Sequence, residues 1–263
     1  MTVTIAIAIL KFRFNQGFAA RHEIIAGWIS QCFAYACVYA SIAAIILHFR
    51  GLNGWNLPEV FLLLGLHLAA YSLGASVTFT QFRDLEDMVE RGEFDTLLLR
   101  PIGAWLYICL SGLNFSYVGH LCLAATLVVW ATLSLNLQWD VRMVSFATIS
   151  VLSGAVAIGA VISIFSSTAL VLGSSRYLFS VFFGLWELSR YPLDIYPDAL
   201  RFILLVITPF GYLGYVPTGI LLGKEIPILH ELAGPACIVV GPIYAILAVR
   251  YWRACVGYYL RHR

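Results

Sequence analysis

The chain has 263 residues, 61% of them hydrophobic and 11% charged, with mean hydropathy +0.87 and formal net charge +2. Soluble domains carry about 25% charged residues, so the composition excludes an ordinary soluble protein and indicates an all-α integral membrane protein. At about 20 residues per crossing plus loops, residues 1–263 form one membrane domain of about six spans, with no polar stretch long enough for a second domain.

In chain order, Thr2 to Ala20 is apolar but broken by Lys11, Arg13, Asn15 and Gln16. Its apolar part is short for a crossing, which predicts a helix lying in the membrane interface. The apolar residues precede Lys11, the reverse of a secretory signal peptide's order, so no cleavage is expected. The first span is predicted over about Ile24 to Phe49, closed by His48, Arg50 and Gly51. The turn-rich link GLNGWNLPE then places Trp55 at the interface and Pro58 near the start of a second span reaching about Thr80.

The next stretch, Phe82 to Pro101, breaks the apolar pattern. It holds six of the fourteen acidic residues (Asp84, Glu86, Asp87, Glu90, Glu93, Asp95) together with Arg83, Arg91 and Arg100. At roughly 2.5–3.5 kcal/mol per charge at a bilayer centre, burying all of them in lipid would cost on the order of 20–30 kcal/mol. The segment is therefore expected in water, as a short charged helix at the membrane surface whose task is contact with something soluble. Gly92 can stop such a helix and Pro101 can open the next.

The third apolar run, Ile102 to Leu135, is longer than one crossing needs and is expected to protrude or tilt. A loop with Asn136, Gln138, Trp139, Asp140 and Arg142 follows, then a fourth span over Met143 to about Phe165. Its Ser153, Gly154, Ala157, Gly159 and Ala160 permit close helix packing, expected within the subunit. The fifth span starts between Ser166 and Arg176 and ends near Arg190, where Glu187 is spaced to pair with Arg190 on a helix. From Tyr191 onward Pro192, Pro197, Pro209, Pro217 and Pro227 cut the chain into apolar runs of about a dozen residues, lengths that suit half-membrane or re-entrant helices. The last span covers about Leu232 to Val249, ahead of Arg250, Arg253, Arg261 and Arg263.

Basic residues set the orientation. With the N-terminus inside, Lys11, Arg13, Arg21, Arg83, Arg91, Arg100, Arg176, Arg250, Arg253, Arg261 and Arg263 face the cytoplasm. Arg50, Arg142, Arg190, Arg201 and Lys224 face outward, a split of eleven to five. Both termini and the charged segment are then cytoplasmic.

Catalytic signals are weak. The nearest approach to a nucleotide-binding loop, GILLGK at Gly219 to Lys224, is one residue short between the glycines and is followed by Glu225. The six cysteines lie in or beside apolar runs without a CxxC pair, reading as small lipid- or core-facing side chains. His67 and His120 read as packed polar residues. Asn114-Phe115-Ser116 matches a glycosylation triplet inside an apolar run, a chance match. No span carries a central acidic relay, and no hydrolytic triad is aligned. No metal, cofactor or nucleic-acid partner is expected for this chain.

RGEFDTLLLRPI (Arg91 to Ile102) resembles the cytoplasmic loop of ABC-type exporter permeases of the ABC type 2 membrane family. YPLDIYPDALRFILLVITPFGYLGYVPTGILLG (Tyr191 to Gly223) resembles that subfamily's stretch before the last span, and YWRACVGYYLRHR its Trp-then-Tyr ending, with RHR in place of the usual small residues. The resemblance implies six spans, an N-terminal interfacial helix and a coupling helix between spans two and three. It also implies outer re-entrant helices between spans five and six, around Pro192, Pro197, Pro209 and Pro217. Further implications are a bacterial inner-membrane setting, a second permease chain, related or identical, across a seam of spans one and five, and two cytoplasmic ABC ATPase subunits that bind the ATP-Mg. Those ATPases would dock on Arg83, Asp84, Glu86, Asp87, Glu90, Arg91, Glu93 and Asp95. The alternative is a self-sufficient secondary transporter driven by an ion gradient.

Overall fold

A computed structural model describes residues 2–19, 21–49 and 51–262, which leaves Met1, Ala20, Arg50 and Arg263 outside the described residues. The apolar runs fold as helices because lipid offers no partner to a backbone N–H or C=O, and a helix satisfies both within one segment. They are α1 (Thr2–Ala19), α2 (Arg21–Phe49), α3 (Leu57–Arg83), α4 (Leu85–Glu90), α5 (Glu93–Leu98), α6 (Ala104–Ser111) and α7 (Tyr117–Leu135). After these come α8 (Val141–Ser167), α9 (Ala169–Leu172), α10 (Arg176–Leu188), α11 (Asp198–Phe202), α12 (Tyr215–Leu221) and α13 (Ala233–His262). Among the described residues, five helices are long and apolar enough to cross a membrane, or six if one bent pair counts as a single span.

The central element is α3. Its start is fixed by a capping box: the Glu59 N–H donates to the Asn56 side chain at 3.0 Å, and the Asn56 N–H donates to the Glu59 carboxylate at 2.9 Å. Pro58 sits in the first turn, where its missing N–H costs nothing. At 27 residues α3 is about 40 Å long, and it packs between α7 and α8. Small residues allow the approach: a Cβ on Gly74 would run into the Ala155 carbonyl, and one on Gly65 would lie 2.6 Å from Val128. The small-residue face of α8 is buried inside the subunit, with Gly154 against Ala70 and Gly159 against Thr78.

The same face receives α13. Pro242 inside α13 leaves the Ile238 carbonyl without its intrahelical donor. Ser153 Oγ donates to that carbonyl at 3.1 Å and accepts the Gly241 N–H at 2.9 Å. One hydroxyl thus repairs the break that the proline makes.

Several expectations need correction. The run Ile102 to Leu135 is not one tilted helix; it divides into α6 and α7 at residues 112–116. There the Asn114 N–H donates to the Ser76 carbonyl at 2.8 Å, and Gly112 closes on the Val77 carbonyl. Pro101 does not open a helix, because the chain stays irregular until Gly103 and α6 starts at Ala104. Trp55 does not face lipid: it is 3% exposed, packed on Tyr215 and bonded to Asp194. The last helix runs past the expected end of the span at Val249, as α13 continues to His262.

Candidate functional site

The charged segment forms two short helices rather than one. Gly92, at φ +71°, makes the left-handed turn between α4 and α5. Their apolar residues Leu85, Phe94 and Leu97 are buried, while Arg83, Glu90, Arg91, Glu93, Leu99 and Arg100 are exposed. Leu99, at 86% exposure, is a large apolar side chain on an otherwise charged face.

The eight candidate contact residues divide by environment. Arg83 pairs with Asp84 at 3.5 Å and Arg91 with Glu93 at 3.0 Å, both at the surface. Surface pairs of this kind contribute about 0–1 kcal/mol and leave the charges available to a partner. Glu90 is exposed and Asp87 and Asp95 are half-buried. Glu86 is different: it is 5% exposed and faces its own chain.

Glu86 caps α10. Its carboxylate accepts the Ser175 N–H at 2.7 Å, the Arg176 N–H at 3.1 Å and the Ser174 hydroxyl at 3.2 Å. These donors would otherwise be orphaned at the start of the helix, and the helix dipole favours an anion there. Burial pushes the Glu86 carboxyl up, but the Ser175 and Arg176 N–H groups, the Ser174 hydroxyl and the Arg176 charge outweigh it, holding the carboxyl below its usual value. Arg176 closes the clasp with a 2.6 Å contact to Asp87. A second grip joins α5 to α13: the Tyr259 hydroxyl donates to Asp95 at 2.9 Å, and Phe94 packs edge-on against Trp252 and Tyr259. Trp252 also meets Phe82 at the end of α3.

Ser174, Ser175, Trp252 and Tyr259 join this site without any sequence motif that marks them for it. Gly173 followed by two serines and Arg176 has the composition of a helix start, and was the one available signal. That an acid 88 residues earlier supplies the cap is a tertiary fact.

At the opposite end of α3, Asp194 accepts the Trp55 indole N–H at 2.8 Å and the Tyr215 hydroxyl at 2.7 Å. Lys224 bonds Glu59 at 2.9 Å and the Gly54 carbonyl at 2.8 Å. Residues 194 and 224 therefore lie at the same end, and the chain between them leaves and returns. It contains α11, a π-helical turn at Ile203–Ile207, a 3-10 turn at Phe210–Tyr212, and α12. Its two arms are bent by 79° at the break before Phe210. Pro197 precedes α11, Pro209 sits at the break, Pro217 is inside α12, and Pro192 follows α10; all but Pro197 are buried.

The expected Glu187–Arg190 ion pair is absent among the described residues. Glu187 is exposed, whereas the Arg190 guanidinium lies 3.8 Å from the Trp186 ring centroid. Arg190 falls just past the end of α10, so the regular i to i+3 spacing does not carry it over Glu187. His67 and His120 are both buried, with His67 Nε2 2.9 Å from the Ser189 hydroxyl.

A family model described as ABC-2 family transporter protein matches residues 33–261. Neither a curated protein nor a solved structure matches the chain.

Proposed function

Since this chain belongs to the ABC-2 family of transporter proteins, and is thus a multi-pass membrane permease of an ABC transporter, we propose that it is one half of an ATP-driven exporter. In this reading α2, α3, α7, α8 and α13 cross in full, the 13-residue α10, about 20 Å long, completes the fifth crossing with the residues beside it, and both termini and α4–α5 are cytoplasmic. A separate ABC ATPase docks on the exposed face of Arg83, Glu90, Arg91, Glu93 and Leu99. A second permease chain completes the path along α2 and α10, and α11 to α12 dips into the outer leaflet without crossing.

The observation that carries the reading is the Glu86 clasp. A docking surface alone would be a passive foot, but α4 holds the first residues of α10 and α5 holds the last turns of α13. A push on α4 and α5 therefore moves two spans as a unit. Glu86 acts within the chain as the linkage, and the neighbouring exposed charges act outward as the contact.

Reconstitution tests this. The complex purified through this chain should contain an ATP-hydrolysing subunit, and substrate movement should require ATP. Glu90→Lys combined with Glu93→Lys should release the ATPase or uncouple its hydrolysis from transport. Transport by the lone chain along a proton or sodium gradient, without ATP, would replace the exporter with the secondary transporter.

A further inference from the structure

The most unusual side chain in the bundle is Arg190. It is 9% exposed, and its Nε has no hydrogen-bond partner. Among the described residues no acid pairs with it; its guanidinium lies over Trp186 at 3.8 Å and Tyr35 at 5.6 Å. A buried cation normally has an anion, because desolvation is otherwise uncompensated. Aromatic faces offset only part of that cost.

Its depth can be measured in two ways. Along α10, Leu188 lies twelve residues beyond Arg176, about 18 Å at 1.5 Å per residue, and Arg190 follows just past the helix end. Arg176 is exposed and ion-paired, which places it at water level. Along α3, Ser189 bonds His67, sixteen residues before Arg83, or about 24 Å. Both rulers put Arg190 inside a hydrocarbon layer about 30 Å thick, where an ionisable side chain marks a functional site and needs a partner.

The surroundings are also incomplete. Tyr39 Oη, Trp186 Nε1 and His67 Nδ1 are buried without hydrogen-bond partners. They belong to one continuous aromatic cluster: Tyr35 contacts Tyr39 at 5.8 Å and Trp186 at 6.4 Å, and His67 contacts Trp186 at 5.6 Å. Two of the three are donors, and so is the orphaned Arg190 nitrogen. The cluster lies between α2, α3 and α10. Glu187, exposed about 17 Å along α10, would be costly against lipid, so this side of α10 faces something polar.

We infer that Arg190 recognises an anionic group, carboxylate or phosphate, on an amphiphilic compound carried along the α2–α10 seam, with Tyr39 and Trp186 as neutral donors beside it. The anion supplies the charge that the fold omits, and the aromatic rings accept the adjoining apolar part. This rests on the permease reading and specifies the substrate class of its path. Glu187 sits one turn away and weakens the anion's hold, which keeps the bound compound releasable.

The test uses the complex purified with its native partners in phosphatidylcholine nanodiscs, with binding of radiolabelled dodecyl phosphate as the readout. Dodecanoate should compete, whereas dodecyltrimethylammonium and inorganic phosphate should not. Arg190→Gln should weaken binding about tenfold or more, the loss expected for one charge-assisted contact, and Arg190→Lys should retain a large part. Glu187→Gln should strengthen binding about threefold by removing a nearby like charge. If Arg190→Gln does not fold, the sign of the Glu187→Gln effect decides, and unchanged or weaker binding overturns the proposal. Equal binding by Arg190→Gln and the unaltered complex overturns it too, as does equal competition by inorganic phosphate. Co-purification of an ATPase separately reads the permease assignment, so that a complex with its ATPase but without anion binding sinks only this inference.

Discussion

Replacing Glu86 by Ala removes the carboxylate that receives the first donors of α10. Four groups lose their acceptor at once: the Ser175 N–H, the Arg176 N–H, the Ser174 hydroxyl and the Ser175 hydroxyl, at 2.7, 3.1, 3.2 and 3.4 Å. Loss of a helix cap costs about 1 kcal/mol, and a buried donor left unsatisfied costs about 1–3 kcal/mol more. Ser175 is itself buried, so water cannot easily take the place of the carboxylate. The local cost is then on the order of 3 kcal/mol, which corresponds to about a hundredfold rise in local opening. Hydrogen exchange followed by mass spectrometry on the purified complex should show this rise in peptides covering 175–180. Glu86→Gln, which keeps the shape and one acceptor, should give a smaller rise. The carboxyl is held below its ordinary value, so the acid form binds less well than the anion. The clasp is therefore fully present above the unfolded value of about 4.5 and weakens as pH falls below it. Exchange at 175–180 that is unaffected by Glu86→Ala would refute the clasp and the linkage built on it.

Other perturbations give equally direct readings. Ser153→Ala removes the hydroxyl that serves the Ile238 carbonyl and the Gly241 N–H; a loss of about 1–2 kcal/mol should lower the melting temperature of the detergent-purified protein. Gly74→Val drives a side chain into the Ala155 backbone and should cost on the order of 1–3 kcal/mol, read as reduced folded yield on size-exclusion chromatography. Tyr259→Phe breaks the bond to Asp95 and should cost about 0.5–1.5 kcal/mol, with faster exchange in 93–98 and little change in 57–66. A cysteine at Ile207, exposed beside the break at Pro209, should react with a membrane-impermeant reagent from outside only; labelling confined to the cytoplasmic side would exclude a re-entrant segment.

Much of this fold was legible in composition and spacing, because a bilayer rewards long apolar helices and penalises everything else. The charged stretch Phe82 to Pro101 stood out for the same reason. What the sequence did not disclose were partnerships between distant residues. Glu86 looks like any other acid in its run, and only the arrival of Ser175 and Arg176 distinguishes it from Glu90. Trp55 has the residue type of an interface anchor, yet Asp194 and Tyr215 draw it inside. Pro242 predicts a broken bond in α13, but not that Ser153 repairs it. The Glu187–Arg190 spacing makes a pair only on a regular helix, and the helix ends between them. That unmade pair left the buried arginine that now defines the anion proposal.

The central claim is that the α4–α5 face is where an ATPase docks. A photo-crosslinking amino acid at Leu99, exposed among charges and making no contribution to the core, tests it in cells expressing the whole transporter. The expected result is a crosslink to a cytoplasmic ATP-hydrolysing chain that disappears with Glu90→Lys and Glu93→Lys. Crosslinks to lipid alone, or to a protein on the outer face, would contradict it.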